Sequence, residues 1–157
     1  MKVKALSPAL GAEVTGIDLS VPLDAAIIDD LGAIWLEHQM IVIRGQDLTP
    51  AQQLAFAKAL GEPDIYPFLT GLDGFPMITE VLKKEDEKVN FGGVWHSDTT
   101  YQKCPPMATL LYAKELPPLA AHAQMMRFVS VFAAQRMCGC EAGSGVVQFL
   151  TRYLMAR

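Results

Sequence analysis

The composition of the chain changes abruptly after Pro117-Pro118, so one sequence pattern does not run through all 157 residues. Residues 1–118 contain nine Lys or Arg and sixteen Asp or Glu, whereas residues 119–157 contain four Arg and one Glu. All eight lysines precede the change, and four of the five arginines follow it. We therefore expect two parts, 1–118 and a divergent tail over 119–157, separated by a domain boundary or by a change of reading frame.

The overall composition favours a folded protein, since 51% of the residues are hydrophobic and the formal net charge is only −4. The acidic balance provides no surplus of cations for phosphates, so we expect no nucleic-acid partner. No apolar run reaches the about 18 residues of a membrane helix, and the first residues lack the apolar segment of a secretory signal. The sequence thus predicts a cytoplasmic protein without a membrane partner. The cysteines (Cys104, Cys138 and Cys140) are expected to be incidental thiols.

Two amphipathic helices are predicted in the first part. One spans Ala25–His38 after a capping Asp24, and the other spans Pro50–Leu60 after a capping Thr49. Their apolar positions follow helical spacing, which predicts one buried face on each helix. These positions are Ile27, Ile28, Leu31, Ile34, Trp35, Leu54, Phe56, Ala57 and Leu60.

Short strands are predicted between and after the helices. They cover residues 13–19 (with a bend or bulge at Gly16), 40–43 (a buried strand), 77–82, 94–101 and 107–112. Residues 66–75 are expected to form a loop, and the charge run over 83–88 a solvated turn. In the tail we expect a helix over 120–137, a loop over 139–145, and a short helix or strand over 146–154.

The clearest chemical signal is the segment FGGVWHSDTTY, in which His96 and Asp98 lie two residues apart. On a strand, this spacing places both side chains on the same face. An imidazole and a carboxylate so placed can supply two ligands of a 2-His-1-carboxylate site for Fe(II). The H-x-D pattern alone is weak, and a hydrogen-bonded His–Asp pair is its alternative. The preceding Gly92-Gly93 and Trp95 favour a pocket, because glycine allows close backbone approach and tryptophan can form a wall.

Four stretches in order resemble the TauD/TfdA family of iron(II)- and 2-oxoglutarate-dependent dioxygenases. They are LGAEVTGIDLSVPL, HQMIVIRGQDLTPAQQLAFAKALGEP, VWHSDTTY and PPMATLLYAKELPP, and they lie within residues 1–118. The resemblance implies an α+β, mainly β fold: a double-stranded β-helix, or jelly roll, with flanking helices, which would be incomplete in this chain.

The resemblance also implies an activity: hydroxylation of a small organic acid, coupled to decarboxylation of 2-oxoglutarate as co-substrate. His96 and Asp98 then correspond to iron ligands, and no further catalytic residue is implied. Metal binding requires His96 to be neutral and Asp98 to be ionised.

The chain departs from the family pattern after Pro118, where the family carries a Gly-Gly-x-Thr turn whose threonine contacts 2-oxoglutarate. Ala123 stands at that position, so no residue for binding the co-substrate is identified. The family's distal histidine ligand and its 2-oxoglutarate-binding arginine have no matching position before Arg157. His122 falls in the threonine turn and is not expected to replace the distal histidine. We therefore expect a truncated dioxygenase with impaired activity.

Truncation would have a structural consequence, because a jelly roll pairs its early strands with late ones. Without the late strands, residues 77–112 would present unpaired edges and an uncovered apolar face. Three possibilities remain for these edges and this face: the tail covers them, another chain covers them, or nothing does.

Substrate contacts follow from the same resemblance. Taurine-specific members have a histidine and a tyrosine in the loop after the second helix, and an asparagine four residues before the H-x-D histidine. This chain has Tyr66, Leu69 and Gly92 at the matching positions, so we expect an organic acid other than taurine. Candidate contacts are Tyr66, Asn90, Gly92 and Trp95. Loop packing is the alternative for Tyr66, and turn capping is the alternative for Asn90.

Two other functions remain open at this point. A noncatalytic remnant that associates with a partner, including a homo-oligomer, would form a defined assembly in solution. A cupin-like metal hydrolase or isomerase would use a similar barrel, but the match outside the H-x-D motif favours the dioxygenases.

The frameshift hypothesis makes a prediction about the gene. If the tail arises from a frameshift, another frame after codon 118 encodes a Gly-Gly-x-Thr turn, a distal histidine and an arginine. Nucleotide sequencing through codons 110–157 and beyond checks this. Absence of those codons from both other frames would contradict the hypothesis and make the tail genuine.

Overall fold

The computed structural model describes residues 1–83, 106–114 and 146–155, with side chains for 1–82 and 106–114. These residues form two helices and eight strands, grouped into two compact units, Met1–Leu60 and Gly61–Arg157. Neither helix in the described ranges has the length and apolar character needed to cross a membrane. Several predicted elements lie outside the described residues: the strand over 94–101, the helix over 120–137, the loop over 139–145, and the charge run after Lys83.

The first unit contains a three-stranded sheet in the order β1-β2-β3. β1 (Lys2–Ala5) pairs antiparallel with β2 (Ala12–Thr15), and β2 pairs parallel with β3 (Ile41–Ile43). Ala12 and Val14 on β2 are fully buried.

Two predictions for these strands need correction. The strand expected over 13–19 runs only from Ala12 to Thr15, because Gly16 follows with φ of +80°, outside the range of a strand. The predicted bend at Gly16 is thus confirmed, but its position ends the strand. The strand expected over 40–43 forms as β3, although its three residues are half-buried rather than buried.

Helix α1 spans Ala25–His38, as predicted, and Leu31 is its fully buried residue. The other predicted apolar positions of α1 are all half-buried. Asp24 occupies the predicted N-cap position in extended backbone, but its side chain makes no capping hydrogen bond. The helix ends at Gln39, whose backbone is left-handed (φ of 64°) and whose N–H donates to the Trp35 carbonyl oxygen at 2.6 Å.

Helix α2 spans Pro50–Leu60, also as predicted, and begins with a reciprocal capping box. The Thr49 backbone N–H donates to Gln52 Oε1 at 2.8 Å, and the Gln52 backbone N–H donates to Thr49 Oγ1 at 3.3 Å. Phe56 and Ala57 are buried as expected. Gln53 is fully buried as well, which the apolar pattern did not predict.

Two glutamine side chains fix the segment between β2 and α1. The Leu19 backbone N–H donates to Gln46 Oε1 at 2.8 Å, and Gln46 Nε2 donates to the Ile17 carbonyl oxygen at 3.2 Å. Gln52 Nε2 donates to the Ser20 carbonyl oxygen at 2.9 Å. Gln52 therefore caps α2 and also holds residue 20 against the start of that helix.

A local turn lies within this segment. The Ser20 backbone N–H donates to Asp18 Oδ1 at 2.9 Å. Hydrogen bonds from the Ser20 hydroxyl, and secondly from its backbone N–H, hold the pKa of Asp18 below its usual value. These bonds favour the ionised carboxylate, because it is the better acceptor.

The second unit contains a five-stranded sheet whose path is β4-β8-β6-β5, with β7 also paired to β8. Its strands are β4 (Glu62–Pro63), β5 (Gly71–Leu72), β6 (Phe75–Lys83), β7 (Ala108–Ala113) and β8 (Val146–Met155). β8 is parallel to β4, β6 and β7, whereas β5 and β6 are antiparallel. The core of this unit includes Ile78, Thr79 and Val81 of β6.

The strands expected over 77–82 and 107–112 are confirmed as β6 and β7, and the tail segment 146–154 forms a strand rather than a helix. The prediction of a loop over 66–75 is wrong for its C-terminal part. There the short β5 pairs with β6, which already begins at Phe75. A tail strand thus pairs with an edge of each of the early strands β6 and β7.

The capping box generates a prediction about stability. We expect Thr49→Ala to lower the free energy of unfolding by about 1 kcal/mol, because it removes the hydroxyl that caps α2. Thr49→Ser keeps the hydroxyl and is the matched control. Urea denaturation of the three proteins measures the difference, and equal losses in both variants would argue against capping as the cause.

The Asp18 turn generates a prediction about pH. Because its folded-state pKa is lowered, the stabilisation by Asp18 is present above the usual aspartate pKa and is lost as the pH falls through the folded-state value. We expect Ser20→Ala to raise the Asp18 pKa toward its usual value, whereas Ser20→Thr keeps a hydroxyl donor. Carboxyl NMR titration checks this, and an unchanged Asp18 pKa in Ser20→Ala would contradict the assignment.

Candidate functional site

Most residues expected to form a site lie outside the described residues. This applies to His96 and Asp98, to Asn90, Gly92 and Trp95, and to the position of the family threonine, Ala123. The structure does not test their arrangement, so their roles stay predictions. Tyr66 is the predicted contact that the structure does describe.

The described residues contain no group of three or more His, Cys, Asp or Glu side chains that could hold a metal ion. His38 is the histidine within the described ranges, and it forms the last residue of α1. Its carbonyl oxygen accepts a hydrogen bond from the Gly11 N–H at 2.9 Å.

Tyr66 lies in a loop between β4 and β5, and we call residues 64–70 the aromatic loop. Its ring meets the Phe68 ring edge to face, with centroids 5.4 Å apart and planes inclined by 75°. Tyr66 is half-buried, whereas Phe68 is 66% exposed and Ile65 is 51% exposed. The loop thus presents large apolar side chains to its surroundings, with the Tyr66 ring supporting the Phe68 ring.

Both ends of the aromatic loop are fixed by strand pairing in the second unit. Before the loop, Glu62 pairs with Val146 in a parallel ladder. After the loop, Gly71 pairs with Thr79 across the β5–β6 hairpin. A side chain at position 71 would collide with the Pro76 backbone, so this close approach requires glycine. The sequence pattern around Gly71 and Gly74 predicted a loop but not this hairpin.

The first unit has an apolar groove that the sequence analysis missed. Its volume is about 340 Å³, and it lies between residues 19–23, Ile28 of α1 and one face of α2. That face is formed by Ala51, Ala55 and Ala59, which are spaced four residues apart. This spacing is the sequence signal from which the groove could have been predicted. At this groove, Gln52 Nε2 donates a hydrogen bond to the Ser20 carbonyl oxygen. None of the described lining residues is titratable, so the groove can offer apolar contacts but no acid or base.

A family profile described as "Taurine catabolism dioxygenase TauD, TfdA family" matches residues 2–138. The match includes His96, Asp98 and residues beyond Pro118. The division at residue 118 therefore remains a prediction, and the family match extends past it.

Individual proteins are also similar to this chain. An alpha-ketoglutarate-dependent sulfate ester dioxygenase from Pseudomonas putida is 32% identical over 118 residues, covering 74% of this chain and 38% of the relative. An (S)-phenoxypropionate/alpha-ketoglutarate-dioxygenase from Delftia acidovorans is 31% identical over 126 residues, covering 74% and 43%. A crystal structure of a taurine dioxygenase from Burkholderia xenovorans aligns with 48% of this chain and 28% of its own, with 36% identity and a TM-score of 0.46. The chain spans well under half the length of these curated relatives.

Proposed function

Since the chain belongs to the TauD/TfdA family of dioxygenases, we propose that it is built for Fe(II)- and 2-oxoglutarate-dependent hydroxylation of a small organic acid. One observation carries this proposal: the family match over residues 2–138 includes the His96-Ser97-Asp98 motif. The relatives named above use alpha-ketoglutarate, which is another name for 2-oxoglutarate. We propose the jelly roll as the fold of the complete domain, on the same family membership.

The donor types of the motif fit non-haem iron. A neutral imidazole nitrogen and an ionised carboxylate are ligands that Fe(II) takes in 2-His-1-carboxylate sites. His96 and Asp98 would provide two of these three ligands. Bound iron, together with 2-oxoglutarate and dioxygen, would supply the oxidising chemistry.

The other proposed roles belong to this chain's own side chains. Trp95 would form a wall beside the two ligands, and Gly92 would let a substrate approach the backbone closely. Tyr66 and Asn90 would contact the substrate through a phenol and an amide. Ala123 lacks the hydroxyl that the family threonine offers to 2-oxoglutarate, so we expect weak binding of the co-substrate.

The proposed substrate class is an organic acid with an anionic group. The two curated relatives act, by name, on sulfate esters and on phenoxypropionate, which both combine an anionic head with an organic body. Tyr66, Leu69 and Gly92 stand where taurine-specific members have other residues, and this supports a substrate other than taurine.

A metal titration tests the ligand assignment. We expect the chain to bind Mn²⁺, used as a redox-inert probe of the iron site, and His96→Ala to weaken binding by about tenfold or more. His122→Ala is the matched control, because it also removes one imidazole but at a position that is not expected to bind the metal. Electron paramagnetic resonance of free Mn²⁺ measures both affinities. Equal affinity of the wild type and His96→Ala would contradict the proposed site.

The activity itself has a separate readout. Incubation with Fe(II), 2-oxoglutarate and an alkyl sulfate should yield succinate above the level of the His96→Ala control. Because Ala123 replaces the threonine, we expect Ala123→Thr to lower the KM for 2-oxoglutarate. No succinate above that control would show that this chain is not an active dioxygenase on its own.

A further inference from the structure

The three-stranded sheet of the first unit has two edges that differ in charge. β1 forms one edge and carries Lys2 and Lys4, which are both exposed. β3 forms the other edge, and its residues Ile41–Ile43 are all apolar and half-buried. Lysines on an edge strand hinder pairing with a further strand, whereas an uncharged apolar edge favours it. Of the two edges of this sheet, the β3 edge is therefore the one suited to accept another strand.

The register of β3 against β2 determines which of its backbone groups face the open edge. The Ala12 N–H donates to the Met40 carbonyl oxygen at 3.0 Å, and Ala12 pairs with Ile41 in the parallel ladder. In such a ladder the N–H and C=O groups of Val42 point toward β2, and those of Ile41 and Ile43 point away from it. Among the described residues, no strand pairs with this side of β3. Two donors and two acceptors thus face the open edge.

These groups are complementary to themselves about Val42. When a second β3 lies antiparallel with its own Val42 opposite, Ile41 lies opposite Ile43 of the partner subunit. An antiparallel ladder alternates between pairs that exchange both hydrogen bonds and pairs that exchange none. The Ile41–Ile43 pairs are of the first kind and the Val42 pair is of the second, so every outward N–H meets a C=O. No like charges are opposed within β3, because residues 39–43 contain no charged side chain.

Helix α1 provides apolar area beside the same edge. It packs against β2 and β3, and its residues Ile27 and Ile34, which belong to the face predicted to be buried, are only half-buried. A two-fold axis through Val42, perpendicular to the sheet, keeps both copies of α1 on one side of the joined sheets. A second copy can therefore cover apolar area of α1 in addition to pairing its β3 strand.

We infer that the β3 edge, residues 41–43, is a docking surface for a second copy of this chain. The pairing joins two three-stranded sheets into one continuous sheet. This sheet ends in β1 at both sides, where Lys2 and Lys4 hinder further growth. The same residues contact each other across the axis, so the assembly closes as a dimer. The inference does not depend on the proposed function.

Sedimentation equilibrium of the full-length chain tests the inference, and we expect the wild type to form a dimer. Val42→Lys replaces an apolar pair on the axis by two like charges and should raise the dimer dissociation constant by about tenfold. Val3→Lys is the matched control, because it makes the same substitution on the opposite edge strand, where Val3 is 44% exposed. It should leave the dissociation constant unchanged.

Hydrogen exchange of the wild type provides a test without a variant. The Ile41 and Ile43 amides should exchange more slowly as the protein concentration rises, because these N–H groups donate across the dimer axis. The Val42 amide donates to β2 within one chain, so its exchange should depend much less on concentration.

Several outcomes would overturn the inference. One is a wild type that is monomeric at every concentration, and another is a dimer that Val42→Lys weakens no more than Val3→Lys. The second result would place the interface elsewhere on the molecule. Circular dichroism verifies that both variants are folded. If Val42→Lys is unfolded, the exchange of the Ile41 and Ile43 amides decides, and rates independent of concentration would contradict the docking surface.

Discussion

The backbone of the second unit depends on β8, because three other strands share hydrogen bonds with that one strand. β4, β6 and β7 each run parallel to β8. β4 and β6 pair with separate stretches of β8, residues 146–147 and 150–155, whereas β7 pairs with residues 147–153, which overlap both stretches. Backbone N–H and C=O groups need partners when they are buried, and an exposed strand edge invites pairing with other chains. β8 meets this requirement from within the chain, although it comes from the compositionally distinct tail.

Side-chain hydrogen bonds of two glutamines stabilise the first unit. Gln52 closes the capping box of α2 and donates to the Ser20 carbonyl oxygen, while Gln46 binds the backbone on both sides of Asp18. These bonds fix the segment before α1, and with it one wall of the apolar groove. Side-chain amides suit this task, because one carboxamide both donates and accepts.

The proposed chemistry divides between two parts of the second unit. The proposed metal ligands are the His96 and Asp98 side chains of the H-x-D motif, which lies within the family match. The aromatic loop holds Tyr66, a proposed substrate contact, edge to face against the Phe68 ring.

The sequence by itself determined the two helices, the N-cap position of Thr49 and the family, because these depend on contacts within a few residues or on an ordered motif. The bounds of α1 and α2 followed from periodicity and punctuation alone. Only the tertiary structure decided that 146–155 forms a strand parallel to β6, that Gln53 is buried, and that Phe68 is exposed. Strand partners and burial depend on residues distant in the chain, and local periodicity carries no information about which distant segments meet.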